Sequence, residues 1–227
     1  MERRRALAKL TLSLRVTGVR PDGYHLLAAE MVTIDLADEL TFSEGHNDLP
    51  PEDLVSRALR AVGRDAHVDV DKRIPMGGGL GGGSADAAAV LRWAGCHDLA
   101  VAASLGADVP FCLVGGRARV AGIGEEVEPL PFEERTFTLL TPPFGASTAA
   151  VYRAWDSLGG PTGDNGNDLE PAALVVEPRL AEWRDRLVSV AGIRPRLAGS
   201  GSTWFVEGAF PGKDRIVTRT TAPEGRS

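Results

Sequence analysis

Four stretches of the 227-residue chain carry residue types suited to chemistry. Residues 77 to 84 read Gly-Gly-Gly-Leu-Gly-Gly-Gly-Ser, and the strong helix former Ala85-Asp86-Ala87-Ala88-Ala89-Val90-Leu91 follows at once. Strand, glycine loop and helix in that order is a recurring way to hold a phosphate. Glycines reach positive φ and bring N–H groups against oxyanions with no Cβ in the way. The following helix adds its positive N-terminal end. On this reading a side chain at Gly81 or Gly82 is expected to clash with ligand rather than with the fold. A Walker A loop would end in Gly-Lys-Ser/Thr, but Ser84 follows Gly83 directly, which excludes it. Gly77, Gly79 and Gly82 satisfy the dinucleotide pattern Gly-x-Gly-x-x-Gly. Six glycines in seven positions match many templates by accident, and the strand order does not supply a Rossmann sheet. A flexible linker is the plain alternative, and the flanking strand and helix speak against it.

The second stretch is Leu105-Gly106-Ala107-Asp108-Val109-Pro110-Phe111, where an aspartate in an apolar run needs a partner if it is buried. A capping or salt-bridged aspartate is the bland reading. Lys9, between Ala8 and Leu10 in a strand pattern, is awkward unless it points into a polar cleft. The fourth stretch is a second glycine-serine loop from Leu197 to Thr203, running into Trp204-Phe205-Val206; it could equally be a plain hairpin turn.

The elements that must position these groups alternate between strand and helix. Leu10, Leu12, Leu14 and Val16 predict a first strand with one buried face. Pro21-Asp22-Gly23 is a turn by its chemistry. Residues 31–42 predict one or two further strands, and 44–51 a loop. Leu54, Val55, Ala58, Leu59 and Val62 predict a helix over 52–62 with an acidic first turn, and residues 67–71 a short strand. The polar tail from 212 onward, with Pro223 and Gly225, is expected to fray.

Composition bounds the class of protein. Hydrophobic residues at 43% and charged residues at 25% are ordinary globular values, enough for one large domain or two small ones. A net charge of −6 with no basic block beyond Arg3-Arg4-Arg5 disfavours a nucleic-acid partner. The apolar run from Ala6 to Leu14 is broken by Lys9 and Thr11, so neither export nor a membrane span is indicated, and the cytoplasm is the expected compartment. Cys96 and Cys112 cannot build a disulfide framework and are expected as reduced, buried thiols. Cys96, His97 and Cys112 match no zinc spacing.

In chain order, Ala8-Lys9-Leu10, Asp22-Gly23-Tyr24-His25, Pro75 to Ser84, Gly106 to Pro110 and Gly199-Ser200-Gly201 resemble the pattern of the GHMP kinases. Gly122-Ile123-Gly124-Glu125, Ser147-Thr148 with Tyr152, and Asn167-Asp168-Leu169 support it. Within that superfamily the chain most resembles the branch that phosphorylates the 2-hydroxyl of 4-diphosphocytidyl-2-C-methyl-D-erythritol in the non-mevalonate isoprenoid pathway. The resemblance implies an α+β fold of two halves. Residues 1–133 would form an ATP-binding domain like the second domain of ribosomal protein S5, and residues 134–227 a ferredoxin-like domain. It implies ATP with Mg2+, and a small-molecule partner bearing a cytidine diphosphate group. Gly77, Gly78, Gly79, Leu80, Gly81, Gly82, Gly83 and Ser84 would cradle the triphosphate, with Ser84 near the metal and Pro75 and Lys72 at the nucleotide pocket. Asp108 would be the general base, and Lys9 would hold it ionised and stabilise the transferring phosphoryl group. Tyr24 and Tyr152 would stack the cytosine and His25 would read it, while Thr11 and Thr148 complete the acceptor site. Oligomeric state stays open between monomer and homodimer.

The chain departs from the family pattern in places. Thr11 stands where asparagine is usual, which bears on substrate positioning. Asp53 stands for the asparagine of an Asp-Asn-Leu stretch and cannot donate as an amide does. The chain is short, with little room for an extra helix between Trp93 and Leu105. A nucleotide-binding module without transfer activity, or a kinase of another small alcohol, are the alternative readings.

Overall fold

The structure, a computed structural model, describes residues 1–223. Two long strands organise it. β1 (Glu2–Val19) and β2 (His25–Ser43) pair antiparallel from Glu2 opposite Phe42 to Val19 opposite His25. The expected Pro21-Asp22-Gly23 turn joins them, with Gly23 at φ +86°. Residues 31–42 therefore belong to one strand.

β1 corrects the expectation of a single buried face. Ala8, Lys9, Leu10, Thr11 and Leu12 are all buried, because the strand is covered on both sides. Register shifts between Leu7 and Lys9 and between Thr11 and Ser13 break the strict alternation. Leu10 and Leu12 consequently enter one core cluster and Leu14 another.

β3 (His67–Asp71) and β4 (Arg117–Gly122) both pair with β2, and β5 (Glu126–Leu130) pairs with β4. A second sheet has the order β7 (Arg196–Leu197), β8 (Trp204–Glu207), β6 (Thr136–Leu140), β9 (Ile216–Arg219). β9 overturns the expected frayed tail. Its β-branched run pairs with β6, Thr218 is buried, and Asp35 accepts from Arg219 N at 3.0 Å and from the Thr218 hydroxyl. The last part of that expectation, residues 224–227, lies outside the described residues.

The helices are α1 (Leu54–Ala61), α2 (Gly82–Trp93), α3 (Leu99–Leu105), α4 (Val109–Val114), α5 (Thr148–Ser157), α6 (Glu170–Val176) and α7 (Leu180–Ala191). α1 has no acidic residue in its first turn. Instead Asp53 is its N-cap and accepts from Val55 N at 2.8 Å, a cap worth about 0.5–2 kcal/mol that asparagine would supply equally well. α3 occupies the segment where little room was expected; seven residues suffice because Asp98 caps it, accepting from Ala100 N at 2.8 Å. From Ala85 to Leu91 every residue of α2 is buried, as expected of a helix apolar nearly all round, and Leu91 joins Leu10, Ile34, Leu40 and Phe111 in the larger core.

The smaller core, around Val151, Leu169, Leu180 and Trp204, is tied to β1 by a buried carboxylate. Asp168 accepts from Arg15 Nη1 at 2.6 Å, Gly163 N at 2.9 Å and Val16 N at 3.0 Å. Helices packed on two largely antiparallel sheets make the fold α+β. Among the described residues no helix is long and apolar enough to cross a membrane.

Candidate active site

A cavity of about 750 Å³ lies where β1, β2, the end of α3, one face of α5 and the 199–200 loop converge. Lys9 and Thr11 reach it from β1, two residues apart and so on one face of the strand. The buried Lys9 ammonium donates to Thr11 Oγ1 at 3.0 Å and sits 3.3 Å from Asp108 Oδ2. An ammonium has three donors, so one remains for the cavity. Thr11 thus helps fix the lysine.

Asp108 occupies the N-cap position of α4 but makes no side-chain cap bond, so the capping alternative is excluded. The expectation of a costly buried aspartate is also corrected. Asp108 is 34% exposed against 6% for Lys9, so the buried charge is the lysine. An apolar flank in sequence did not mean an apolar environment, because Gly106 to Asp108 form the cavity wall. Behind Asp108, burial and then the charge of that carboxylate push the Cys112 thiol up to about 12, so it is an inert core residue. Cys96 is only half-buried.

The glycine loop stands directly behind Lys9. Leu80 turns its side chain into the core, while its carbonyl accepts from Lys9 N at 3.0 Å. A Cβ on Gly81, which has φ +71°, would lie 2.8 Å from Lys9 Cγ. One on Gly79, at φ +81°, would lie 2.3 Å from Ala198 O and 2.9 Å from Gly201 Cα. One on Gly82 would meet Ile74 Cγ2 at 3.2 Å and Lys72 Nζ at 3.3 Å. The expectation that Gly81 and Gly82 are kept bare only for ligand is therefore corrected: protein atoms already crowd both. The same contacts make the 197–203 loop more than a hairpin, since Thr203 N also donates to Gly78 O at 3.1 Å. Gly83 is different, being exposed, with only Leu54 Cδ1 within reach of a Cβ, at 3.3 Å. Pro75 supports the turn by accepting from Gly78 N at 3.4 Å, and Gly77 passes the backbone of Gly145. Gly81 caps α2 with no side-chain bond, leaving the first-turn N–H groups at Gly82, Gly83 and Ser84 without intrahelical partners.

Lys72 is held at this helix start by two aspartates. Asp38, fully buried, accepts from Lys72 Nζ, from Ile74 N at 2.7 Å and from Arg73 N at 2.5 Å; Asp86 accepts from Lys72 Nζ at 2.7 Å. Burial works to lower the lysine, but the bonds to Asp38 and Asp86 outweigh it and the net shift is upward. Burial raises Asp86 to about 6 against the pull of Lys72, and its Oδ1 has no partner. A carboxyl raised on folding keeps its proton longer in the native state. Stability is then lost as pH rises through about 4 to 6. Asp86→Asn is expected to flatten that slope, recovering about 1–3 kcal/mol above pH 6 relative to wild type, read from urea melts across pH 4–8. An unchanged difference between the two proteins over that range would refute it.

Another part of the lining is aromatic. α5 presents Thr148, Tyr152 and Asp156, four residues apart and so on one face. Thr148 Oγ1 lies 3.0 Å from Ser200 Oγ, joining α5 to the second glycine loop. The His25 ring is 4.6 Å from that of Tyr152 and 5.5 Å edge-on from Trp155, and its Nε2 is 2.8 Å from Asp156 Oδ1. Burial, then the charge of Asp108, push the Tyr152 phenol upward. Tyr24 is 60% exposed at the rim, its ring 6.0 Å from the Arg20 guanidinium.

Lys9, Asp108, Thr11, Tyr24, His25, Thr148 and Tyr152 therefore all line one cavity, although they span 144 positions from 9 to 152. Residues 77–84 do not line it; they back onto it through Lys9. Sequence reasoning missed Asp38 and Asp156. The signal for Asp156 was present in its spacing of four from Tyr152.

The comparisons with known proteins agree with this geometry. The family model of the GHMP kinases N terminal domain matches residues 53–116. A 4-diphosphocytidyl-2-C-methyl-D-erythritol kinase of Paracoccus denitrificans strain Pd 1222 is 38% identical, with 89% of this chain and 85% of that protein covered. One of Pelotomaculum thermopropionicum is 40% identical over 88% and 86%. A crystal structure of a 4-(cytidine 5'-diphospho)-2C-methyl-D-erythritol kinase superposes with a TM-score of 0.78 at 30% identity, covering 99% of this chain and all of that one. Methanococcus jannaschii mevalonate kinase, at 11% identity and a TM-score of 0.61, shares the fold. With such identity over most of its length, and with the fold to match, the chain belongs to the 4-diphosphocytidyl-2-C-methyl-D-erythritol kinase family of the GHMP kinases.

Proposed function

We propose that this enzyme transfers the γ-phosphoryl group of ATP to the 2-hydroxyl of 4-diphosphocytidyl-2-C-methyl-D-erythritol. The observation that carries the reading is the Lys9–Asp108 pair at 3.3 Å, set in a cavity that the His25–Tyr152 cluster also lines. The cavity brings together a carboxylate, an ammonium N–H and base-stacking surfaces. On this reading residues 1–133 form the nucleotide-binding half and residues 134–227 the second half, and the enzyme works in the cytoplasm.

The triphosphate fits the start of α2. Uncapped N–H groups at Gly82, Gly83 and Ser84, an exposed Gly83 and the neighbouring Lys72 ammonium suit an anion. Among the described residues no cluster of three or more His, Cys, Asp or Glu side chains suits a metal. Mg2+ would accordingly be held by phosphate oxygens and Ser84, supplying charge neutralisation there. Asp108 takes the proton of the acceptor hydroxyl as its oxygen bonds to the γ-phosphorus. The bridging P–O bond breaks and its electron pair leaves with ADP. Lys9 faces the transferring group and keeps Asp108 aimed. A module that only binds nucleotide would have no use for a buried lysine paired across the cavity with an aspartate.

The experiment is ADP release with 4-diphosphocytidyl-2-C-methyl-D-erythritol, mevalonate, homoserine and galactose as acceptors. Turnover with the first alone is expected, and turnover with another acceptor or none would refute the reading. CDP and CMP should compete with the acceptor and not with ATP. Tyr152→Ala should weaken that competition roughly 5- to 150-fold, the value of stacking on an aromatic. Failure of cytidine nucleotides to inhibit at millimolar concentration would leave only a GHMP kinase of another alcohol.

A further inference from the structure

His25 has two ring nitrogens, and they are not equivalent in this protein. Nε2 lies 2.8 Å from Asp156 Oδ1. Nδ1 has no hydrogen-bond partner among the described residues and is not among the buried unpartnered atoms, so it is the nitrogen left accessible on a residue that lines the cavity. The ring cannot easily turn over to exchange them. Its side chain is only 10% exposed, with Tyr152 tilted against one side and Trp155 edge-on to it.

A neutral imidazole carries one proton, and the nitrogen beside an acceptor keeps it. A carboxylate can only accept. Asp156 therefore holds the proton on Nε2 and leaves a lone pair on Nδ1. A lone pair facing the ligand accepts from an N–H and is opposed by a carbonyl oxygen. Cytosine and uracil differ at that edge: the first presents an exocyclic amine where the second presents O4.

We propose that Asp156 is a specificity-determining positioning residue, which fixes His25 as the Nε2–H tautomer so that Nδ1 selects a 4-amino pyrimidine over a 4-oxo one. The inference rests on the cytidine reading above and adds the device that enforces it. Asp156 does not touch the base. It acts through His25, from the same α5 face that carries Thr148 and Tyr152.

The test has two parts, both run at pH 8. Proton–nitrogen correlation spectra of the ligand-free protein, with His25 assigned by His25→Gln, should show the Nε2–H form. Asp156→Ala should bring in the Nδ1–H form, and Asp156→Glu should restore the original. A wild-type ring in the Nδ1–H form overturns the proposal, whatever the acceptor. Inhibition by CDP and by UDP against the acceptor is the second part. Wild type should prefer CDP by roughly tenfold or more, a lost or opposed hydrogen bond in a partly buried site. Asp156→Ala should bring the two nucleotides within about threefold of each other, and Asp156→Glu should recover the preference. CDP preference retained in Asp156→Ala overturns the proposal. No inhibition of wild type by either nucleotide is instead a failure of the cytidine reading, and the proposed selection falls with it.

Discussion

Asp108→Asn is expected to lower kcat by about 10²–10⁴-fold, the contribution of a positioned general base. The amide keeps the size and shape of the carboxylate but cannot take the hydroxyl proton. Asp108 is one-third exposed and makes no cap bond, and an asparagine oxygen in its place can still accept from the buried Lys9 ammonium, although it no longer balances that charge. A modest fall in melting temperature is therefore expected, with the fold intact. The affinity for ATP should change little, because residues 77–84 hold their conformation through Lys9, Ala198 and Gly201 rather than through Asp108. Steady-state kinetics with the cytidyl acceptor, alongside nucleotide titration, read both outcomes. More than half of wild-type turnover in the variant would end the assignment of Asp108 as base.

Gly79→Val is expected to damage the protein itself. A left-handed conformation costs a non-glycine residue about 1–3 kcal/mol before any clash. Here the new Cβ would also sit 2.3 Å from a backbone oxygen of the second loop, an atom that cannot swing away. In a chain of this size each kcal/mol lowers Tm by about 2–4 °C, so a fall of roughly 5–10 °C is expected, together with loss of ATP binding. Gly83→Ala makes the informative contrast. Its Cβ meets only the tip of Leu54, and alanine suits a helix better than glycine. That variant should melt at or above the wild-type temperature and bind ATP less tightly if phosphate lies against Gly83. A Gly79→Val protein with unchanged Tm would show that the two loops do not depend on each other's bare backbones.

Much of the arrangement was legible in the residues. The β3 boundaries, the Pro21–Gly23 turn, the strand bearing Lys9 and the helix opening at the glycine loop all follow from local chemistry: period, turn propensity and a run of alanines. Local patterns failed where a remote segment supplied the missing surface. β1 alternates like a half-exposed strand, yet it packs against α2 and is buried on both faces from Ala8 to Leu12, and three register shifts reset which side chains point where. β9 looked like a polar tail because its partner, β6, lies 80 residues before it, from Thr136 opposite Arg219 to Leu139 opposite Ile216. α3 was discounted on length, when an aspartate cap is what makes two turns viable.

The sequence by itself determined the reactive inventory: one lysine in an apolar strand, one aspartate ahead of a proline, two glycine loops and an aromatic–histidine pair, in an order that matched a known family. Those signals are one-dimensional because each rests on residue type and on neighbours within a few positions. What only the tertiary structure decided is who faces whom. It paired Lys9 with Asp108 across 99 positions, gave Thr11 the task of holding the ammonium, and set the bare backbones of Gly79 and Gly201 against each other. It also chose which nitrogen of His25 is occupied, by bringing Asp156 from another element to within 2.8 Å. Such choices depend on distances between segments far apart in the chain, and a distance is fixed only when the cores between them have packed.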